Sequence, residues 1–221
     1  MLDTLIQDTR YATRSLRRTP GFLAAAIATL VLGIGANTAI FSLINAVMFR
    51  TLPVRAPEEL YFVAHGVGNS QVLTVSNFPW FERVRSHDEV FAAVTGYNIR
   101  DFKVASDQGA QRVYGQYASG SYHAAIGAPM ALGRGFSSED DRGVTNAPIA
   151  VISDGFWTRR FGRDPQVVGK SLLVGGRAVT IVGVTAPGFD GMAPGRAIDI
   201  TLPLSMRIRD EPEFLTDLDS W

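Results

Sequence analysis

The chain has 221 residues, a formal net charge of zero and no cysteine, so disulfides and thiol chemistry are excluded. After residue 49, seventeen Lys and Arg stand against nineteen Asp and Glu without a basic block, so nucleic acid is not an expected partner.

Residues 1–20 predict an amphipathic helix. Between residues 2 and 18, apolar side chains recur at helical spacing on one face, and the opposite face carries Asp3, Gln7 and four arginines. We expect this helix to lie along the surface of the membrane lipid, and a flexible basic tail is the alternative. Thr19 fits the N-cap of the next helix, and Pro20 fits its first turn.

Residues 21–49 predict one transmembrane helix. The stretch from 22 to 49 contains no charge, and at ~1.5 Å per residue it exceeds the ~30 Å hydrocarbon core of a bilayer. A buried helix of a soluble protein is one alternative, and a cleaved signal peptide is another. The run is longer than the ~7–15 residues of a signal peptide's apolar region. No second apolar run of ~18 residues is present, so the chain as written crosses once.

The residues around this helix predict its orientation, and those within it predict its neighbours. Four arginines precede the helix and only Arg50 and Arg55 follow shortly after, so we expect a cytoplasmic N-terminus and an extracytoplasmic remainder. Polar side chains gather on one broad side, near Gly35 and Ala39 in small-xxx-small spacing. This side is expected to contact other helices. Its polar members are Asn37, Thr38, Ser42 and Asn45.

The 172 residues from 50 to 221 are enough for one domain or two small ones. Alternation, turn residues and caps predict a mixture of strands and helices in the first part of this region. The expected strands are 59–64, 97–104 and 110–118, the last two joined by a polar turn at 106–109. The expected helices are 78–86, with Ser76 as its cap, and a short one from 119 towards Ile126.

The last third of the chain gives clearer local signals. A short buried strand is expected over 148–152, followed by a helix that Ser153 caps and Gly162 ends. Gly175 and Gly176 stand between two β-rich runs, which predicts a two-residue hairpin turn. Strands and helices without a regular βαβ alternation predict an α+β fold.

Two glycine-rich sequences resemble nucleotide-binding motifs without meeting their requirements. Gly169, Lys170 and Ser171 match the end of a phosphate-binding loop, but Asp164 replaces its first glycine and a strand follows where a helix is needed. Residues 33–36 resemble the start of a dinucleotide fingerprint, but the third glycine is missing. We expect no cofactor.

The remaining polar candidates also lack a catalytic or metal-binding pattern. The three histidines, His65, His87 and His123, lie far apart without metal-ligand spacing, and we expect them on the surface. The acidic run 139–141 fits either a cation site or a carboxylate pair, but a helix start capped by Ser137 is the favoured interpretation. We therefore expect no catalytic, cofactor-binding or metal-binding residue and no enzyme activity.

Several motifs, in order along nearly the whole chain, resemble the permease subunits of MacB/FtsX-type ABC transporters, in the branch called acidobacterial duplicated orphan permeases. The motifs are RYA at 10–12, SLRRTPGF at 15–22, LGIGANTAIFS at 32–42, LP at 52–53, GRGF at 133–136, WxxRFG at 157–162, VGK at 168–170, and VGV at 182–184 with PGF at 187–189.

The resemblance implies a transporter component in the bacterial inner membrane. It implies a cytoplasmic helix at 1–20, a membrane helix at 21–49 and a MacB-like periplasmic core domain at 50–221. A separate ABC ATPase would drive motion that reaches this domain for export or envelope work. Other permease helices or a second permease copy are expected partners. The relatives continue into further membrane helices, so we expect this chain to be a fragment; a single-pass anchored enzyme, or a binding or sensing module, is the alternative.

Overall fold

The structure is a computed structural model. It describes residues 19–48, 54–63, 65–67, 71–73, 77–87, 89–106, 109–141, 148–192 and 195–216. The amphipathic helix predicted before Thr19 and the proposed cap Ser76 lie outside the described residues. The chain divides into two compact units, Met1–Arg50 and Thr51–Trp221.

The described part of the first unit is a single long helix, α1, from Pro20 to Met48. Its first backbone hydrogen bond runs from the N–H of Leu23 to the carbonyl of Thr19 (3.1 Å), as expected if Thr19 is the N-cap. From Pro20 to Ser42 the helix is long and apolar enough to cross a membrane, and none of this stretch is buried. A core helix of a soluble protein would instead be covered on its apolar face.

The second unit contains nine strands and several short helices within the described residues. The strands are β1 (His65–Val67), β2 (Gln71–Leu73), β3 (Tyr97–Ser106), β4 (Gly109–Ala118), β5 (Met130–Gly133), β6 (Ile149–Ile152), β7 (Ser171–Val174), β8 (Arg177–Thr185) and β9 (Ile200–Pro203). The α-helices are α2 (Phe78–Arg85), α3 (Tyr122–Ala125), α4 (Ser138–Asp141), α5 (Asp154–Phe161) and α6 (Leu204–Asp210). Three 3₁₀ turns cover Pro57–Glu59, Pro165–Val167 and Pro212–Leu215.

Seven of the strands form one sheet that closes on itself. The order is β5-β8-β6-β9-β4-β3-β7, and β7 also pairs with β8. Thr180 of β8 pairs with β6 on one edge of the strand and with β7 on the other. Beyond the β7 pairing, residues 183–185 of β8 pair with β5. Closure between β3 and β7 rests on Val104 opposite Val174. Six strands therefore make a ring and β5 extends it.

Alternating side chains of the ring fill its interior. On β3, Phe102 and Val104 are buried, while Asp101 and Lys103 between and beside them are exposed. Gly115 on β4 leaves room for the Phe102 ring, since a Cβ at Gly115 would lie 2.2 Å from Phe102 Cδ2. The helix α5 closes the core with two aromatic side chains, Phe156 and Trp157.

Most of the predicted elements, and the α+β fold class, are confirmed. The long β3–β4 hairpin pairs without a break from Tyr97 opposite Ala118 to Ser106 opposite Gly109. The β7–β8 turn has positive φ at both Gly175 (59°) and Gly176 (82°), as the glycine pair predicted. In α5, the Ser153 hydroxyl accepts the N–H of Phe156, and the left-handed Gly162 ends the helix.

Two local predictions were wrong. The expected strand over 59–64 is replaced, within its described residues, by a 3₁₀ turn and an irregular segment. Ala56 has positive φ ahead of Pro57, Leu60 turns into a core cluster, and Tyr61 stays 81% exposed. The helix near 78–86 is present, but Asn77 is its N-cap: its side-chain oxygen accepts the N–H of Trp80 at 2.9 Å.

Candidate functional site

The Gly169-Lys170-Ser171 sequence forms a surface ion pair and a strand, so it does not form a phosphate loop. The Lys170 ammonium donates to Asp164, the residue that replaces the loop glycine, and this hydrogen bond holds the pKa of Asp164 below its ordinary value. Ser171 begins β7, so no helix N-terminus follows the lysine. The lysine is thus engaged by an acid and faces no backbone cradle.

His123 contradicts the expectation of surface histidines, because it is buried on α3. The Phe136 N–H donates to His123 Nδ1 at 3.2 Å, which places the ring proton on Nε2. That Nε2 is buried and has no hydrogen-bond partner among the described residues. Burial lowers the pKa of His123 to about 4. His87, in contrast, is exposed beside the carbonyl of Arg83.

The acidic run at 139–141 joins neighbouring elements to one another. Asp140 accepts from the Arg134 guanidinium at 2.7 Å and from the N–H and hydroxyl of Ser137, so Ser137 donates to the helix acid and does not cap the helix with its side chain. Burial opposes ionisation of Asp140, but the hydrogen bonds from Arg134 and Ser137 outweigh it and keep its pKa below the ordinary value. The Asp140 carboxylate therefore has structural hydrogen-bond partners.

Asp141 links three parts of the chain by hydrogen bonds, and no sequence signal indicated this role. Its carboxylate accepts the N–H of Gly120 at 2.7 Å and the N–H of Ser205 at 3.3 Å. It thereby joins α4 to the turn before α3 and to the first residues of α6. Burial raises the pKa of Asp141, and the two backbone hydrogen bonds oppose that rise.

Further buried polar groups lie around β4 and α6. Gln116 donates to the Thr201 hydroxyl at 3.2 Å, across the parallel β4–β9 pair. Burial raises the pKa of the neighbouring Tyr122 hydroxyl. Arg207 on α6 is 2% exposed, lies over the Phe214 ring at 3.7 Å and donates to Glu211. No sequence spacing marks these residues, since only the tertiary fold covers them.

No nucleophile with a paired base emerges from these contacts in the described residues, and no group of three His, Asp or Glu side chains there could hold a metal ion. A shallow groove of about 420 Å³ runs beside β8, where β7 gives way to β5. The exposed surface of its walls, which include Arg134, is almost wholly apolar, and the lining offers no convergent polar groups.

Comparison with known families supplies the assignment. The family described as "MacB-like periplasmic core domain" matches residues 23–216. The chain belongs to this family. The match begins inside α1 and continues to residue 216, so it covers most of α1 and most of the second unit. No curated protein sequence matches the chain.

Three solved structures are similar to this chain at low identity, and one of them, a MacB periplasmic region, has a TM-score above 0.5. The periplasmic region of MacB from Actinobacillus actinomycetemcomitans has a TM-score of 0.51 and 14% identity, over 67% of this chain and 65% of that one. The extracellular domain of the noncanonic ABC-type transporter YknZ from Gram-positive bacteria gives 0.49 and 15%, over 62% and 67%. A domain of a putative permease from Porphyromonas gingivalis gives 0.46 and 15%, over 70% and 64%. The chain spans about two thirds of the length of each.

Proposed function

We propose that this chain is a membrane permease component of a MacB/FtsX-class ABC-type transporter, which relays ATP-driven motion to an extracytoplasmic domain for export or envelope work. The observation that carries the proposal is the continuous family match over residues 23–216, which takes in the apolar helix together with the folded domain. An anchored enzyme would need a catalytic set, and the described residues offer ion pairs and caps in its place.

The proposed organisation divides the chain into three consecutive segments. In this proposal residues 1–20 are cytoplasmic, residues 21–49 cross the bacterial inner membrane, and residues 50–221 make up the extracytoplasmic core domain. The arginines before α1 support this orientation because basic residues are retained on the cytoplasmic side. In this arrangement Lys170, the lysine of the sequence that resembles a phosphate-binding loop, lies on the far side of the membrane from the ATP pool. The energy therefore comes from a separate ABC ATPase in the cytoplasm.

The orientation is tested by labelling single cysteines in a chain that has none of its own. Ala110→Cys lies at the exposed tip of the β3–β4 hairpin, and Asp8→Cys lies in the cytoplasmic segment. A membrane-impermeant maleimide should be added to spheroplasts, in which the outer membrane has been removed and the inner membrane is intact. It should label position 110 and spare position 8. Labelling of position 8 alone would reverse the proposed topology.

The energy source is tested by purification of the full chain from its native membrane. An ABC ATPase should co-purify in detergent, and its turnover should change when the permease is removed. The matched control is the segment 50–221 alone, which has no cytoplasmic part and should recover no ATPase. Recovery of the ATPase with that segment, or hydrolytic turnover by the segment itself, would contradict the proposal.

A further inference from the structure

The segment from Val54 to Leu60, which we call the strap, begins the described part of the sheet domain. Residues 49–53 separate it from Met48, the last residue of α1. The strap contains the 3₁₀ turn Pro57–Glu59, and Ala56 before this turn has a positive φ of 54°. The strap is therefore a bent segment with a defined backbone, and it is the first described part of the domain along the chain.

Two apolar side chains of the strap, Val54 and Leu60, pack against one core cluster of the domain. The cluster joins the end of β4, the helix α3 and the loop after β8, and its buried members are Ala118, Tyr122, Ile126, Phe189 and Met192. The next residue, Tyr61, is 81% exposed, so this packing ends at Leu60. Through the cluster, the strap is in contact with three separate parts of the domain.

Gly127, directly after the core residue Ile126, provides a further contact with the strap. A Cβ added at Gly127 would lie 2.6 Å from the Cβ of Arg55 and 3.1 Å from its backbone nitrogen. Real Cβ atoms do not approach other atoms so closely, so any side chain at position 127 would displace the strap. The glycine is therefore required for the strap to lie where it does.

Packing, and not hydrogen bonding, holds the strap against the domain. Its backbone hydrogen bonds run within it, from the Glu59 N–H to the Ala56 carbonyl at 3.0 Å and from the Leu60 N–H to the Pro57 carbonyl at 3.3 Å. No described residue outside the strap forms a hydrogen bond with it. The strap can therefore separate from the domain without breaking a strand pair or a helix, at a cost set by the apolar contacts alone.

We propose that the strap is the coupling through which a displacement of the chain after α1 enters the sheet domain. With the strap docked, six residue steps join Met48 to Val54, and they span at most ~20 Å. With it released, the next described residue in a core cluster is Phe78, thirty steps from Met48, and such a length of chain can extend to ~100 Å. A short connection transmits a pull that a long one takes up by extending. The inference rests on the proposed function and names the place where the relayed motion enters the domain.

Hydrogen exchange of the full chain in non-ionic detergent, read by mass spectrometry, tests how the strap is held. Gly127→Ala should speed exchange of the strap amides several-fold, because the new Cβ would overlap Arg55. Gly162→Ala is the matched control, since Gly162 has a similar positive φ (56°) and a Cβ there would meet nothing within 4 Å. This control should leave exchange of the strap as in the wild type. Equal strap exchange in the two variants would overturn the inference.

Leu60→Ala tests the same point without adding strain to the backbone, because it only shortens the side chain that packs on the cluster. It should also speed exchange of the strap several-fold, whereas Tyr61→Ala, at the exposed neighbouring position, should not. The amides of the β3–β4 hairpin should stay protected in each variant, which shows that the domain remains folded. Strap exchange as slow as in the wild type in Leu60→Ala would overturn the inference.

Fluorescence anisotropy decay of the full chain in phosphatidylcholine vesicles tests the coupling itself. The fluorophore is attached to Ala110→Cys at the exposed tip of the β3–β4 hairpin. In Leu60→Ala the residual anisotropy should fall by roughly half, because a longer connection lets the domain rotate through a wider angle. In Tyr61→Ala it should stay as in the wild type.

The failures of the two proposals are distinguishable. Extraction of the wild-type chain from the membrane by alkaline carbonate would overturn the membrane anchoring and this inference together. A wild-type chain that resists extraction, combined with a Leu60→Ala variant whose strap exchanges quickly while its residual anisotropy stays at the wild-type value, would overturn this inference alone.

Discussion

Acidification should destabilise the core domain through His123. The folded protein holds the pKa of His123 at about 4 because the ring is buried, whereas the ordinary value of 6.5 applies when the chain is unfolded. Protonation would also turn Nδ1 into a donor that faces the Phe136 N–H, and the 3.2 Å hydrogen bond between them would be lost. The unfolded state thus binds the proton more readily than the folded state.

The magnitude follows from linkage. Because the folded pKa is depressed, the stabilisation is complete above the unfolded pKa and is lost as pH falls towards the folded pKa. With pKa values of about 4 and 6.5, the loss in unfolding free energy is roughly 1–2 kcal/mol at pH 5.5 and roughly 2–3 kcal/mol at pH 4.5. It approaches a limit of roughly 3 kcal/mol below pH 4.

The assay is urea unfolding of the full chain in non-ionic detergent between pH 7.5 and 4.5. Tryptophan fluorescence reports on the domain, since all three tryptophans lie outside α1. In His123→Asn, the side-chain oxygen can still accept the Phe136 N–H while the titrating group is gone. At pH 7.5 this variant should be less stable than the wild type by roughly 1–3 kcal/mol through lost ring packing, and its pH slope should be shallower than that of the wild type.

The matched control is His87→Asn, because His87 is exposed and its removal should leave the wild-type slope in place. The carboxylates titrate in both proteins, so the difference between wild type and His123→Asn isolates the histidine. Equal slopes for these two proteins from pH 7.5 to 4.5 would refute the reasoning.

Three further predictions concern the sheet and the lysine. Gly115→Ala should lower the unfolding free energy by ~1–3 kcal/mol, because the new Cβ would overlap Phe102; urea unfolding measures it. Replacement of Gly175 and Gly176 by Val should cost ~1–3 kcal/mol, since both have positive φ, and should lower the melting temperature. ATP binding by calorimetry should be absent in the wild type and in Lys170→Ala alike, because the lysine pairs with an acid.

Each of these has a defined contrary result. Gly155→Ala is the control for the first, because the added Cβ would lie 3.1 Å from the far end of the Arg159 side chain and 3.9 Å from Ser153 Oγ, with no backbone atom in its way. Equal stabilities of the Gly115 and Gly155 variants would contradict the packing argument. An unchanged melting temperature in the double valine variant would remove the hairpin argument. Stoichiometric ATP binding that disappears in Lys170→Ala would contradict both the absence of a nucleotide site and the topology.

Local chemistry explains which parts of the fold were predictable. A glycine pair between β-rich runs fixes the β7–β8 turn because few other residues accept positive φ twice in succession. Ser153 and Gly162 likewise mark the ends of α5 through their own backbone and side-chain hydrogen bonds. These signals are carried by neighbouring residues, so they can be recognised without the tertiary structure.

Properties that depend on distant residues were not predictable. The segment at 59–64 has strand-forming residues, but β propensity is decided by a partner strand, and the described residues provide none for it. His123 is buried because Tyr122 and Phe136 pack edge-on against its ring, with centroids 5.2 and 4.9 Å away. Phe136 comes from a different part of the chain, so the residues next to His123 in the sequence did not indicate that it would be buried.

Two acidic side chains tie the short helices of the sheet domain to its other elements. Asp141 holds α4, the turn at Gly120 and the start of α6 together through two backbone hydrogen bonds. Asp140 fixes the same region to Arg134 at the end of β5, and the Ser205 hydroxyl returns to the Asp140 carbonyl at 3.0 Å. Helices tied to a closed ring resist local separation, because a force on one element must break several hydrogen bonds at once. These ties support the relay that we propose, because the elements that they join would be displaced together.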